Sequence, residues 1–396
     1  MRPQSDSYPS GPPLARRTGA VGRSSIREMF DLANQFDGDD LVHLEIGEPD
    51  FDTPDHIVEA AFAAAERGAT HYTSNAGIPD LRDALAADLG GGYDPESELV
   101  VTAGAMEALL LALLTVVDPG EEVVVPTPAW PNYRTQVVMA GGTFVDVPLS
   151  REDEFDLDVD TLVDAISEET AVVLLTTPSN PTGRVYDAET VRRVAAVAAD
   201  YDAYVVADEV YRDLTYDEPF ESTAAVVGDR RNVVTVGSCS KTYAMTGWRV
   251  GWLAAPEPLV DAALKFHEST VACAPAVSQH AAVAALEGDQ APIEAMYEAF
   301  RRRRDYVVDR VADLPGITCP RPEGTFYAFL NCSAVGVDSD TLAKRLLRER
   351  EVVTAPGGGF GDHVDDHLRI SFANDRSRLR EGFDRIGAFL EEEGIA

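Results

Sequence analysis

The chain has 396 residues, 45% of them hydrophobic, enough for a large buried core and for two domains, and no disordered majority is expected. Asp and Glu outnumber Lys and Arg by 68 to 33, a formal net charge of -35 with the acids spread along the chain, so nucleic acid is repelled. So acidic a surface, with only three lysines, suits concentrated salt, where hydrated carboxylates keep a protein soluble and salt screens self-repulsion; a halophilic source is expected.

Residues 1–23 are rich in Ser, Pro, Gly and Arg and lack periodicity, which predicts an extended arm ordered by packing on a partner. A helix over 25–36 follows, then a short strand into Gly47-Glu48-Pro49-Asp50 and an alanine-rich helix over 55–67. Strands are predicted at 99–102, 122–126, 171–176, 203–207 and 232–236, with helices at 106–117 and 189–201 among them. Apolar runs of five or six alternating with amphipathic helices predict a mostly parallel sheet covered on both faces, the α/β class. Beyond about residue 275 the pattern changes to long helices, such as 293–314, with short strands near 326–330 and 368–371. This predicts a smaller α+β domain, and a division into 1–45 (arm and first helix, against the small domain and a partner), 46–275 and 276–396. The run Arg301 to Arg304 reads as a solvated helix face with ion pairs. The longest apolar stretch, 108–117, is about half the ~20 residues a membrane span needs. Cys239, Cys273, Cys319 and Cys332 form no CxxC pair and have no histidine at zinc spacing, so reduced thiols, no metal and a cytoplasmic location are expected. Arg16-Arg17 lacks the apolar segment of a twin-arginine signal.

Lys241 stands in Gly237-Ser238-Cys239-Ser240-Lys241, and a lysine amine can lose its proton and attack a carbonyl where arginine cannot. Ser238, Ser240 and Arg249 around it are what a phosphate-bearing aldehyde cofactor needs, which points to pyridoxal 5'-phosphate; the plain alternative is a surface lysine in a serine-rich loop. Asp208 ends a buried strand, at the edge where open α/β sheets bind ligands, and can hold a pyridine nitrogen protonated or simply cap a helix. Tyr211, three residues on, and Asn180, in the turn Pro178-Ser-Asn-Pro-Thr-Gly183, can reach the ring's phenolic oxygen. Ala103-Gly104-Ala105-Met106 opens a helix whose free amides can hold a phosphate. Trp130 offers a flat surface for a ring, or core packing. Arg369 interrupts an apolar strand and needs a carboxylate, from a substrate or from a neighbouring acid.

Together these segments resemble the class I aminotransferases of pyridoxal phosphate fold type I, in the family's order from about Ser25 to the carboxyl terminus. Gly-Glu-Pro-Asp-Phe-Asp-Thr-Pro at 47–54, the segment His71 to Arg82, Pro-Ser-Asn-Pro-Thr-Gly, Asp-Glu-Val-Tyr at 208–211, Ser-x-Ser-Lys, Gly324-Thr-Phe-Tyr327 and Arg-Ile-Ser-Phe carry the likeness. It implies a seven-stranded sheet in the large domain and a homodimer with shared active sites. It makes Lys241 the Schiff-base residue and proton shuttle, Asp208 the partner of the pyridine nitrogen, and Asn180 and Tyr211 the contacts of the phenolic oxygen. Gly104, Ala105, Met106, Ser238, Ser240 and Arg249 would hold the phosphate, with Tyr72 reaching it from the other subunit. Arg369 would clamp the substrate α-carboxylate, helped by Asn180, Trp130 and the Gly47 backbone.

The implied reaction is a ping-pong transfer from an L-amino acid to 2-oxoglutarate, without membrane or nucleic acid partners. Met106 stands where the bacterial aspartate enzymes carry a lysine for the second carboxylate, and the segment Ser24 to Ala33 looks like archaeal members that accept aromatic and acidic amino acids. Aspartate and aromatic donors both stay open. A fold-type-I lyase, such as a cysteine-sulfur β-lyase, would share every cofactor contact. A pyridoxal phosphate-binding transcription regulator would need a DNA-binding module, and no helix-turn-helix is legible in the roughly 40 residues before the first motif.

Overall fold

The structure is a computed structural model and describes residues 14–36, 40–90 and 92–395. Of the expected arm, residues 1–13 lie outside the described residues, and a short 3-10 turn spans Arg16–Gly19. The strands in chain order are β1 (Val42–His43), β2 (Leu99–Thr102), β3 (Glu122–Thr127), β4 (Thr143–Pro148), β5 (Thr170–Thr176), β6 (Tyr204–Asp208), β7 (Val233–Ser238), β8 (Gly251–Ala254), β9 (Tyr327–Asn331), β10 (Val352–Val353), β11 (Ala355–Pro356) and β12 (His367–Ser371). The helices are α1 (Ser25–Ala33), α2 (Asp55–Glu66), α3 (Pro79–Leu89), α4 (Ala105–Val116), α5 (Asn132–Ala140), α6 (Val159–Asp164), α7 (Ala188–Asp200), α8 (Thr223–Val227), α9 (Glu257–Thr270), α10 (Ala276–Glu287), α11 (Ala291–Ala312), α12 (Ser339–Arg350) and α13 (Arg376–Glu392).

Seven strands form one sheet in the order β2-β8-β7-β6-β5-β3-β4, parallel except for β8, which runs antiparallel to both neighbours. Its central strands are apolar on both faces because both are covered. Val172, Leu174 and Val206 pack with Leu109 of α4, Val137 of α5 and Leu259 of α9, whereas Val173, Leu175 and Val205 pack with Leu162 of α6 and Val194 of α7. Helix α7 shows how the sequence sets such a layer. Val191, Val194, Ala195 and Ala198 recur at three- and four-residue spacing, and the Asp187 side chain accepts from the amides of Glu189 and Thr190 to start the helix. Near the β2 edge, α2, α3 and α10 build a further cluster around Ile57, Leu85 and Ala282.

A second, three-stranded antiparallel sheet has the order β11-β12-β9, and β1 pairs in parallel with β10. Its core joins Phe326, Leu346 and Phe383 with Met29 and Val42 from the start of the chain, and with Tyr211 from the loop after β6. The sequence reading of 301–304 as a solvated face needs correction. Arg302 is exposed, but Arg303 holds Asp50 through two bonds of 2.6 and 2.9 Å, and Arg304 is buried with Asp217 at 2.8 Å, because α11 lies against the loops of the large sheet.

Candidate active site

The loops after β2, β3, β5, β6 and β7 leave the same edge of the large sheet, the edge where parallel strands end and side chains of distant segments converge. With Glu45 to Glu48, Tyr327 of β9 and Arg369 of β12 they enclose a cavity of 880 Å3. Every site residue read from the sequence lines this cavity except Tyr72 and Gly104. Tyr72 is 88% exposed, and Gly104 is buried beside Arg249.

Lys241 follows β7, and its Nζ donates to the Gly47 carbonyl at 2.6 Å. Enclosure away from bulk water lowers its pKa from 10.5 to about 8; Glu48 and Asp208 oppose that shift, and Arg369 and Arg249 reinforce it. An amine so placed is partly neutral near physiological pH, which a nucleophile or proton carrier requires.

Asp208 ends β6, and Tyr133 and Thr176 build a relay onto it. The Thr176 hydroxyl donates to Tyr133 Oη at 2.7 Å, which donates to Asp208 Oδ2 at 2.7 Å, and the Val210 amide reaches Oδ1 at 3.3 Å. Burial nonetheless pushes the carboxyl from 3.8 up to about 6, because no cation of the described residues lies within ion-pair distance. Tyr211 is buried with its Oη 3.0 Å from Tyr327 Oη, and burial holds its phenol well above 10.

Arg369 is 2% exposed and finds no carboxylate among the described residues. Its Nη1 donates to Asn180 Oδ1 at 3.1 Å and its Nη2 to the Glu45 carbonyl at 2.6 Å, while Nε has no partner. The guanidinium lies 4.2 Å over the Tyr327 ring. A Cβ at Gly47 would come within 2.6 Å of Tyr327 Oη, so only glycine lets the chain pass there.

At the other end of the cavity, α4 begins with no capping side chain, leaving the Ala105 and Met106 amides without helical partners. Ser238 Oγ lies 2.7 Å from Ser240 Oγ, and Arg249 reaches the Ala103 carbonyl at 3.3 Å. Gly104 has φ +88, and a Cβ there would meet Arg249 Nη2 at 2.5 Å. Trp130 stands in the wall, edge-on to Tyr133.

The donor set fits pyridoxal phosphate. Free amides, two hydroxyls and a guanidinium suit its phosphate, a buried carboxylate without a cation suits a protonated ring nitrogen, and the buried, uncompensated guanidinium suits a substrate carboxylate. Sequence reasoning missed Tyr133, Thr176 and Tyr327. Tyr327 closes the motif Gly324 to Tyr327 and Tyr133 stands three residues past Trp130, but only the fold aims them at Arg369 and Asp208. Among the described residues no cluster could hold a metal ion, all four cysteines are free, and no helix is long and apolar enough to cross a membrane.

The family model for class I and II aminotransferases matches residues 39–386. The chain is 36% identical over 389 residues to aromatic-amino-acid aminotransferase 2 of Thermococcus litoralis, covering 96% of this chain and 99% of the relative. It is 37% identical over 389 residues to aspartate aminotransferase of Pyrococcus abyssi, with the same coverage. The solved aspartate aminotransferase of Thermus thermophilus with maleate superposes with a TM-score of 0.90 at 35% identity, covering 96% of this chain and 100% of the other.

Proposed function

The chain belongs to the class I and II aminotransferases and is a pyridoxal phosphate-dependent enzyme, and from that premise we propose that it moves the amino group of aspartate or an aromatic amino acid to 2-oxoglutarate in two half-reactions. The observation that carries this reading is Lys241, an amine of lowered proton affinity held in one cavity with a carboxylate that lacks a cation and a guanidinium that lacks a carboxylate. Bound pyridoxal phosphate supplies an electron-withdrawing ring that stabilises negative charge at the substrate's α-carbon. In our assignment Asp208 opposes the positive charge of the ring nitrogen, and Tyr133 orients its carboxylate. Tyr211 and Asn180 would meet the phenolic oxygen, and Trp130 would offer its face to the ring. Ala105, Met106, Ser238, Ser240 and Arg249 take the phosphate, with Gly104 letting Arg249 approach. Arg369 and Asn180 would hold the α-carboxylate, which fixes the bond to be broken, and the neutral Lys241 amine would take up and carry the α-proton.

Met106, Leu109, Phe30 and Trp130 give the cavity an apolar side, which supports aromatic donors, while Arg23 on the same lining supports a second carboxylate. A homodimer with Tyr72 reaching the neighbouring site, a cytoplasmic location and a high-salt medium belong to the same proposal; the exposure of Tyr72 and the charge of -35 support the first and last. We also propose an arm with the first helix at 1–45, and we move the division expected at 275 to the far end of α10, because α10 packs on α2 and α3.

The deciding experiment adds single amino acids to the purified holoenzyme without an oxoacid and follows its absorbance. Transamination converts the aldehyde form of the cofactor to the amine form, and 2-oxoglutarate reverses the change; the donors that work fastest name the substrate. Pyruvate and ammonia accumulating with no acceptor would replace this reading by β-elimination.

A further inference from the structure

We propose that Glu107 and His267 form a buried pair that sets the turn receiving the cofactor's phosphate, an inference that rests on placing that phosphate at Gly104 to Met106. The Ala103–Gly104 turn is held from two sides. Arg249 donates to the Ala103 carbonyl at 3.3 Å, and the Ala103 amide donates to Glu107 Oε2 at 2.6 Å. The other carboxylate oxygen of Glu107 lies 3.0 Å from Nδ1 of His267 on α9, and Thr270 Oγ1 stands 3.5 Å away. A carboxylate only accepts, so the shared proton sits on Nδ1 and the imidazole donates.

The pair answers an electrostatic conflict. Glu107 is the third residue of a helix whose amino terminus faces an anion, and a carboxylate free to turn toward that anion would repel it. Bonds to Ala103 and His267 fix both oxygens and aim them into the protein. Helix capping by itself accounts for the Ala103 contact, but it leaves the histidine without a reason. His267 is 0% exposed, its Nε2 has no partner among the described residues, and its ring makes one hydrogen bond, to Glu107. Burying an imidazole with half its capacity unused is costly unless that one bond matters. Glu107 and His267 are thus positioning residues for the phosphate, acting through the Ala103–Gly104 turn.

The test uses the full-length chain stripped of cofactor and measures, by calorimetry, the Kd of pyridoxamine 5'-phosphate and of pyridoxamine, which differ only in the phosphate. In His267→Leu the carboxylate is released, and the preference for the phosphorylated ligand should fall at least about tenfold while pyridoxamine binds as before. In Glu107→Gln/His267→Leu most of that preference should return, because a neutral amide still accepts from Ala103. Glu107→Ala, which removes the clamp directly, should also lose preference and stands in if His267→Leu does not fold. A preference within about twofold of wild type in the folded single variants, or a double variant that loses more than His267→Leu, overturns the proposal. A wild-type chain with no preference for the phosphorylated ligand instead overturns the phosphate placement beneath it.

Discussion

Replacing Asp208 by asparagine should stabilise the cofactor-free protein while weakening its function. The carboxyl is buried, and its pKa rises from 3.8 to about 6, so near neutral pH the folded chain carries a charge that water would have solvated better. A shift of about two units corresponds to roughly 3 kcal/mol at full ionisation. The sign follows from proton linkage. A folded-state pKa above the unfolded one means that the folded protein binds more protons between the two values, so wild-type stability falls as pH rises from about 4 to about 6 and is level above that. The Asp208→Asn variant has no such loss and keeps an oxygen for the Tyr133 hydroxyl, although it gives up the long Val210 contact, at a cost of about 1 kcal/mol. Urea unfolding of both proteins without cofactor should therefore show the variant gaining on wild type by roughly 2–3 kcal/mol between about pH 4 and about pH 8. Adding pyridoxal phosphate should reverse the order, because a cationic ring nitrogen compensates only the carboxylate. A stability gap that does not change with pH would refute the reasoning, whatever its size.

The lysine count makes Lys241 directly testable. In the cofactor-free chain its reaction with an amine-specific reagent should rise through about pH 8, whereas Lys344, whose pKa is raised by Asp340, should respond only at higher pH; peptide mapping separates the two. Arg369→Gln should lower kcat/KM for amino acids about 10²- to 10³-fold, with little effect on an amine that lacks an α-carboxylate. Tyr72→Ala and Lys241→Ala, each inactive alone, should recover about a quarter of wild-type activity when refolded together, since half of the dimers are mixed and each mixed dimer has one complete site. Failure of that complementation in a proven mixed dimer would remove Tyr72 from the shared site.

Strands β2, β5, β6 and β7 were legible because burial on both faces demands continuous apolar runs, and such runs survive without knowledge of their neighbours. Two strands of the same sheet were not. β4 is an edge strand with mixed burial, and β8, beginning at Gly251 shortly after Arg249, runs against its neighbours and breaks the strand-helix alternation. Within the site, the residues announced by motifs were readable, whereas Tyr133 and Thr176 gain meaning only from Asp208, which neither adjoins in sequence. Glu107 and His267 are still further from legible, since nothing local to either tells it of the other. Arg304 shows the converse, because its place in an arginine run suggested solvent and its burial came from a loop on the other sheet.

The pairing of Val42 with Val352 has a consequence for biosynthesis. The strand β1 leads directly into Gly47, whose carbonyl holds Lys241, and its hydrogen-bonded neighbour is made only after about 310 further residues, the separation of Val42 from Val352. Arg369 emerges later still. A nascent chain can assemble its large sheet during translation, but it cannot close the cavity around a cofactor and a carboxylate until β10 and β12 have also emerged. Termination between Lys241 and β12 therefore yields a protein with the reactive amine and no means of orienting what reacts with it.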